Sequence, residues 1–307
     1  ILSHDLLPNA TYKELSAWRK EMLKIEPKLR NLKKQCDVAI LVDNASLTGL
    51  DEFPIGEEEP LTYNQILRRM YDSLYEMNIE SDLVSTEDSF DAYKLLVVPA
   101  LYSASEKTLQ KILSYVEKGG HLLLGFKSGV SDEELKIYHD KQPHLLTDCI
   151  GATYDQFTRP ADVTISLDGK SYTVLDRMEL VRPENCDVWA SYEHPFWNIY
   201  AAVTQKNYGS GSAVYLGCYL EKAGFKALFK RLLKYAGIPV PGFSFPLIRK
   251  VGENEEGKQI QYIFNYSSKV QNLCYEGKKA TDLLSGKTVS NGEILEIPAW
   301  DLIILEN

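Results

Sequence analysis

Residues 125–129 form the part of the sequence that most resembles a catalytic turn. Gly125-Phe126-Lys127-Ser128-Gly129 follows a predicted strand that ends at Leu124. A nucleophile at a strand-to-helix turn normally lies between glycines two residues away on either side. Here the serine stands one position late, and neither Cys149 nor Cys218 has glycines at those positions. The pattern favours a loop whose glycines shape a sheet edge, and a stand-alone hydrolase of the amidotransferase or esterase type stays as an alternative.

Two short glycine motifs could bind phosphate, but their surroundings favour turns. Gly286-Lys287-Thr288 resembles the end of a P-loop, yet Thr281 occupies the position where that motif needs its first glycine. Gly209-Ser210-Gly211 is not followed directly by a helix, so it is typical of a hairpin. The five cysteines are scattered, without the paired spacing of a zinc site. We therefore expect no cofactor and no metal.

Carboxylates and aromatic residues could together serve sugar chemistry. Glycoside hydrolysis needs two carboxyl groups a few ångström apart, but among 43 acidic residues the sequence singles out no pair. Aromatic rings can stack on the apolar faces of sugars, although packing in a core or an interface is the commoner role. A carbohydrate-binding module therefore stays open as a second alternative, based on the aromatic run Trp189, Tyr192, Phe196, Trp197 and Tyr200.

Strands and helices alternate from residue 37 onwards, which predicts an α/β fold. Short apolar strands such as Val38–Val42 are typical of a parallel sheet that is buried on both faces. The order of strands and helices up to Leu124 indicates an open, doubly wound sheet of the flavodoxin type, with a polar loop at residues 43–60. Residues 150–220 are rich in β-branched and aromatic residues and predict extra strands, and a helix follows at Glu221–Ala236.

The two ends of the chain differ from this central part. Residues 10–34 predict one helix, kinked or split at Pro27, with an apolar stripe that needs a partner surface. Pro239-Val240-Pro241-Gly242 predicts a linker, and the last 65 residues predict a small antiparallel β-sandwich. We therefore expect three parts: 1–36, 37–238 and 239–307.

The overall charge limits the kinds of molecule that we expect the protein to bind. The 307 residues carry 34 basic and 43 acidic side chains, a net charge of −9, whereas a nucleic-acid surface needs a basic face. No apolar run approaches the ~18 residues of a membrane span, and no secretory leader opens the sequence. We expect a cytoplasmic protein that binds neither nucleic acid nor membrane. The first residue is Ile1, so we also expect a processed chain or a piece of a longer one.

An ordered series of blocks over residues 2–237 resembles the C-terminal part of the glycoside hydrolase family 42 β-galactosidases. The blocks are Leu2–Asp5 with Pro8-Asn9, Val38–Asn44, Tyr71–Tyr75, Asn78–Val84, Tyr93–Tyr102, Val116–Leu123, Lys127–Gly129, Tyr154–Pro160, Glu179–Pro183, His194–Trp197, Tyr200–Val203 and Tyr208–Gly217. The resemblance implies a flavodoxin-like trimerisation domain, similar to the class I amidotransferases, followed by a β-sandwich domain. It also implies a preceding (β/α)₈ barrel with both catalytic glutamates, which has no counterpart in this chain.

The resemblance carries an expectation of function but no catalytic residue. The parent enzyme would hydrolyse terminal β-galactosides with retention, and this part would form a homotrimer. The segment 1–36 would be a connecting helix from the barrel, and the galactoside would bind through that barrel. Loops of this part would line the rim of a substrate pocket in a neighbouring subunit. The residues that we expect at that rim are Lys127, Ser128, Tyr138, His139, His194, Phe196 and Trp197.

Overall fold

The computed structural model describes residues 1–56 and 60–307 and divides the chain into two compact units. One unit, the α/β unit, is Cys36–Pro241. The other, the β unit, combines Ile1–Gln35 with Gly242–Asn307. Segment 1–36, which the sequence analysis treats as a separate part, thus falls almost entirely in the same unit as the C-terminal residues.

The elements of the two units follow one another along the chain. The first half contains α1 (Ala10–Leu29), β1 (Val38–Leu41), α2 (Asn44–Glu52), α3 (Tyr63–Glu76), β2 (Ser81–Val84), β3 (Leu95–Val98), α4 (Glu106–Glu117), β4 (His121–Gly125), α5 (Thr147–Ile150) and β5 (Ala152–Thr158). The second half contains β6 (Thr164–Leu167), β7 (Lys170–Pro183), β8 (Asp187–Glu193), β9 (Ala201–Tyr208), β10 (Gly211–Leu216), β11 (Cys218–Leu220), α6 (Lys222–Tyr235), β12 (Leu247–Glu253), β13 (Gln259–Asn265), β14 (Gln271–Cys274), β15 (Ala280–Asp282), β16 (Thr288–Val289), β17 (Ile294–Ile297) and β18 (Leu302–Glu306).

The α/β unit is built on an 11-stranded mixed sheet. Strands β2, β1, β3, β4 and β10 lie side by side in that order and are all parallel, and the other strands extend the sheet with antiparallel pairings. Strands β1 and β3 are wholly apolar and fully buried, as a strand covered by helices on both faces must be. The predicted mixed α/β fold is confirmed at this level.

Helices cover both faces of this sheet with apolar stripes. Ile66, Met70 and Leu74 of α3 pack in the same core cluster as Phe225 and Leu228 of α6. On the opposite face, α4 contributes Leu109, Ile112 and Val116 to a second cluster. Helix α6 closely matches the predicted helix, and Gly237 ends it with a φ of +65°.

The predicted polar loop at 43–60 is partly wrong, because Asp43 caps the two-turn helix α2 within it. Residues 57–59 of that predicted loop lie outside the described residues.

The β unit contains a five-stranded sheet and a two-stranded sheet, both antiparallel. The first has the order β12-β13-β18-β15-β16, and the second pairs β14 with β17. Their shared core includes Ile263, Leu273, Ile297 and Leu305. The turn signal at Asn291-Gly292 precedes β17, and Gly292 has the positive φ that such turns need.

Helix α1 packs on the five-stranded sheet. Ile25 is buried with Ile260 and Ile304, and the Lys28 ammonium lies 2.6 Å from the Glu306 carboxylate. The helix runs unbroken through Pro27 but ends at Leu29, five residues earlier than predicted, because Arg30 adopts an extended conformation. None of the helices in residues 1–56 and 60–307 is both long and apolar enough to cross a membrane.

Candidate functional site

The loops after β1, β3 and β4 meet at the carboxyl edge of the parallel strands, where open α/β sheets bind ligands. Asp43, which follows β1, accepts a 2.6 Å hydrogen bond from the backbone N–H of Ser46. The Ser46 hydroxyl in turn donates to the carbonyl of Ser103, in the loop after β3, at 3.1 Å. The hydroxyl of Ser103 donates to the carbonyl of Asp132, in the loop after β4. Hydrogen bonds thus tie the three loops to one another.

Ser128 holds this edge together and presents no free hydroxyl. Its side chain is fully buried, donates to the carbonyl of Gly125 at 2.7 Å, and accepts from the N–H of Leu101 at 3.0 Å. The bond from Leu101 connects the turn after β4 to the turn after β3, and the bond to Gly125 closes the turn after β4 itself. A serine engaged in this way is not available as a nucleophile.

Lys127 lies in the same turn with a φ of +57°, and its side chain is buried. The ammonium donates to the carbonyl of Phe53 at 2.6 Å and lies 4.9 Å from the centre of the Tyr102 ring. The pKa of Lys127 is lowered to about 8, because burial and, to a smaller degree, the nearby Arg177 guanidinium outweigh the opposing effect of the Glu179 carboxylate. The Lys127 side chain therefore links the turn after β4 to the residue that follows α2.

Glu179 is the centre of this buried edge, although sequence reasoning did not select it. The side chain has no exposed surface and accepts from the Lys127 N–H at 2.9 Å, Arg177 Nη2 at 3.2 Å and the Tyr215 hydroxyl at 2.5 Å. The Tyr192 hydroxyl lies 2.8 Å from the Glu179 carbonyl. Burial raises the pKa of Tyr215 and of Tyr192 well above the ordinary value, so both stay protonated. We call Lys127, Arg177, Glu179, Tyr192 and Tyr215 the Glu179 cluster.

The Glu179 cluster suits a structural role better than catalysis. Its one carboxylate is fully hydrogen-bonded, whereas retaining glycoside hydrolysis needs two carboxyl groups about 5 Å apart. The Arg177 guanidinium is covered by the Phe157 ring, 3.9 Å from the ring centre. The signal that could have identified the cluster is a glutamate inside the buried strand run Met178–Val181, since a charge there requires a buried partner.

Lys127 gives this unit a pH-dependent stability. The folded pKa of about 8 lies below the ordinary value of 10.5, so between these values the unfolded chain binds more protons than the folded one. The contribution of Lys127 to the free energy of unfolding is therefore lowest below pH 8 and increases as the pH rises towards 10.5. In urea unfolding, we expect the stability of the natural chain minus that of Lys127→Met to increase over this range. The exposed-site variant Lys107→Met should give a flat difference, and a flat difference for Lys127→Met would contradict the prediction.

Tyr138 and His139, two of the expected rim residues, line one shallow cavity of about 710 Å³. The Tyr138 hydroxyl donates to the carbonyl of Ala104 at 2.8 Å, and its ring stacks on His144 with 3.7 Å between the ring centres. His144 Nδ1 lies 2.7 Å from the Asp140 carboxylate. His139 is exposed. Arg182 and Glu184 also line this cavity.

The other three expected rim residues form a separate stack between β8 and β9. His194 stacks on Trp197 at 4.1 Å and contacts Phe196 at 5.6 Å between ring centres. Phe196 is 78% exposed, and the neighbouring Ile199 is 76% exposed. Within the described residues, no hydrogen bond or ring contact joins this stack to Lys127, Ser128, Tyr138 or His139.

Two of the five cysteines have the properties of packed thiols. Cys149 and Cys218 are both buried, and burial raises the pKa of Cys149 to about 12 and that of Cys218 still further. A nucleophilic cysteine needs the opposite shift, since the thiolate is the reactive form. In residues 1–56 and 60–307, no group of three or more His, Cys, Asp and Glu side chains could hold a metal ion.

Comparison with known protein families shows the family to which this chain belongs. Residues 36–239 match the model of the β-galactosidase trimerisation domain, which is two thirds of the chain and nearly the whole α/β unit. The chain belongs to this glycoside hydrolase family 42 domain family. The family resemblance stated from the sequence blocks is thereby confirmed.

Relatives of this trimerisation domain include whole β-galactosidases. The chain is 26% identical over 302 residues to β-galactosidase LacZ of Lactobacillus acidophilus and 26% identical over 298 residues to BgaA of Clostridium cellulovorans. Each alignment covers 96% of this chain but 44% of the relative. The chain therefore spans less than half the length of the curated relatives that it matches.

Solved structures show the same fold. Gan42B, a GH42 β-galactosidase from G. stearothermophilus, matches 100% of this chain with a TM-score of 0.91 and 23% identity. A β-galactosidase from Bacillus circulans sp. alkalophilus matches 97% of it with a TM-score of 0.86 and 21% identity. This chain covers 45% of each.

Proposed function

We propose that this chain is the trimerisation and C-terminal portion of a β-galactosidase. The observation that carries the proposal is the family match over residues 36–239, together with relatives of which the chain covers 44%. In this proposal the parent polypeptide hydrolyses terminal β-galactosides with retention. The two glutamates for that chemistry lie in a barrel outside this chain, and the galactoside binds there.

The finer architecture belongs to the same proposal. The parallel order β2-β1-β3-β4-β10 corresponds to the order 2-1-3-4-5 of flavodoxin-like sheets. The two antiparallel sheets of the β unit, with a core between them, support its description as a small β-sandwich. We also propose a cytoplasmic location, which the five free cysteines support because that compartment keeps thiols reduced.

The proposal includes a role for the exposed loops in a neighbouring subunit. Tyr138 and His139 line a cavity, and Phe196 projects from the His194–Trp197 stack into solvent. These side chains can contribute to the rim of a substrate pocket. Lys127 and Ser128 would contribute to the rim indirectly, because their hydrogen bonds fix the course of the loop after β4.

The mass of the chain in solution tests the trimer. Sedimentation or light scattering should give about three times 34.8 kDa for the 307-residue chain. We expect the trimer to persist on dilution, because obligate interfaces bury roughly 2,000 Å² or more. A monomer at every concentration would contradict self-association of this part.

The location of catalysis has its own test. The chain alone should give no hydrolysis of o-nitrophenyl β-galactoside, because the Glu179 cluster offers a single buried carboxylate. A longer polypeptide that contains this chain and a barrel should hydrolyse the same compound. Turnover by the 307-residue chain would overturn the proposal that the catalytic glutamates lie elsewhere.

A further inference from the structure

A large cavity of the α/β unit lies beside α6 and is not part of the edge described above. It has a volume of about 1260 Å³ and is bounded by the exposed side of α6, the turn between β6 and β7, and strands β8 and β9. This volume exceeds what most small-molecule sites need, which is roughly 300–1,000 Å³. We call it the α6 groove and define it by Lys170, Asp187, Trp189, Gln205, Lys230 and Lys234.

The α6 groove is positively charged within an acidic protein. Helix α6 contains five basic residues and no acidic one, whereas the whole chain has a net charge of −9. Three of the five contact a carboxylate: Lys222 and Lys226 share that of Glu76, and Arg231 lies 3.1 Å from that of Asp168. In the part of the chain that the structure describes, the groove lysines 170, 230 and 234 form no ion pair. Their charge is available to an anion.

The wall of the groove that β8 and β9 form carries the Trp189 ring and two amide groups, and side chains of α6 pack against it. The Arg231 guanidinium lies 4.4 Å from the centre of the Trp189 ring, and Tyr235 packs edge-on against that ring at 5.7 Å. The Tyr235 hydroxyl donates to Asn207 Oδ1 at 2.6 Å. The buried Gln205 amide nitrogen lies 3.0 Å from the same oxygen and 2.9 Å from the Tyr235 hydroxyl. These contacts fix the wall before any ligand arrives.

Carboxylate and amide groups suit hydroxyls rather than a bare anion. Asp187 lines the groove beside the Gln205 and Asn207 amides, and a carboxylate there would repel a ligand that carried only negative charge. A sugar needs acceptors and donors for its hydroxyls, and its apolar face can lie on an aromatic ring such as Tyr172. A phosphate group would lie against the three lysines, which bind phosphate as point charges.

We propose that the α6 groove binds a sugar phosphate. The three groove lysines bind the phosphate, Asp187 and the Asn207 amide bind hydroxyls, and an aromatic ring such as that of Tyr172 lies against the sugar ring. A neutral sugar would leave the lysines without a counter-charge. Nucleic acid would meet the carboxylates of Asp168 and Asp187.

Calorimetry of the 307-residue chain tests this with four probes: glucose 6-phosphate, galactose 1-phosphate, galactose and inorganic phosphate. We expect at least one sugar phosphate to bind about tenfold or more tightly than both inorganic phosphate and galactose. Its affinity should fall as salt increases, because exposed charges are screened. Equal affinity for inorganic phosphate and the sugar phosphates, or no heat with either at millimolar concentration, would overturn the proposal.

A matched pair of variants assigns the binding to the groove. Lys230→Ala/Lys234→Ala should weaken sugar phosphate binding about tenfold or more, which corresponds to at least about 1.4 kcal/mol. Lys20→Ala/Lys24→Ala removes the same charge at the same spacing on α1 and should leave the affinity within about twofold. Both variants should retain the unfolding temperature of the natural chain. An equal loss in the two variants would show that the lysines of the groove do not form the site.

Discussion

Glu179→Gln should lower the free energy of unfolding of the α/β unit by about 3–5 kcal/mol. The carboxylate has no exposed surface and is the acceptor for Arg177, for the Lys127 N–H and for the Tyr215 hydroxyl. The amide keeps the shape of the side chain but removes its negative charge. Arg177, which is 5% exposed, would then be a buried cation without a counter-charge. Urea unfolding measures the change.

Two further variants separate the charge effect from the shape of the side chain. Glu193→Gln in β8 changes an exposed glutamate and should cost less than about 0.5 kcal/mol. Arg177→Met combined with Glu179→Gln removes the unpaired guanidinium while an amide oxygen still accepts from Lys127. We expect this double variant to be more stable than Glu179→Gln alone. If Glu179→Gln costs no more than Glu193→Gln, the buried charge pair does not hold the edge together.

Gly125→Ala should destabilise the same unit by more than about 3 kcal/mol, beyond the usual cost of overpacking. Gly125 is the last residue of β4, and a Cβ there would lie 1.9 Å from the carbonyl oxygen of Pro99 and 2.8 Å from its carbonyl carbon. These are backbone atoms of the neighbouring loop, which cannot rotate away as a side chain can. The measurement is the urea midpoint, or the loss of soluble folded protein.

Gly237→Ala is the matched control for this prediction. Gly237 ends α6 with a φ of +65°, and a Cβ there would meet no atom within 4 Å. Its replacement should cost about 1 kcal/mol, because only the left-handed backbone is strained. Similar losses in the two variants would show that the chain relieves the contact at Gly125 by moving the loop after β3.

Much of the α/β unit could be predicted because its residues carry local signals. The apolar runs of β1 and β3 and the stripe of α6 each require burial wherever they lie. The short helix α2 was missed, since its apolar residues form only a weak stripe and its start depends on the single cap Asp43. Cap chemistry is a weak signal when no apolar stripe follows it.

The candidate site was harder to predict than the elements that support it. Lys127 and Ser128 were selected as rim residues from the family resemblance, but what they bind is set by the loop after β3, the residue after α2 and strand β7. Glu179 was not selected because its donors come from residues 127, 177 and 215, and the pairing of distant strands is not encoded in any one segment. The stripe of α1 was identified, but the sequence did not show that Ile260 and Ile304 cover it.

The packing of α1 on β18 has a consequence for the order in which the protein matures during synthesis. Residues 10–29 and 302–306 belong to one unit, and the contact between Lys28 and Glu306 joins positions 278 apart. A ribosome releases the whole of Cys36–Pro241 before the last strand emerges. The α/β unit can therefore fold before β18 is available to pack against α1, so the β unit completes its folding last.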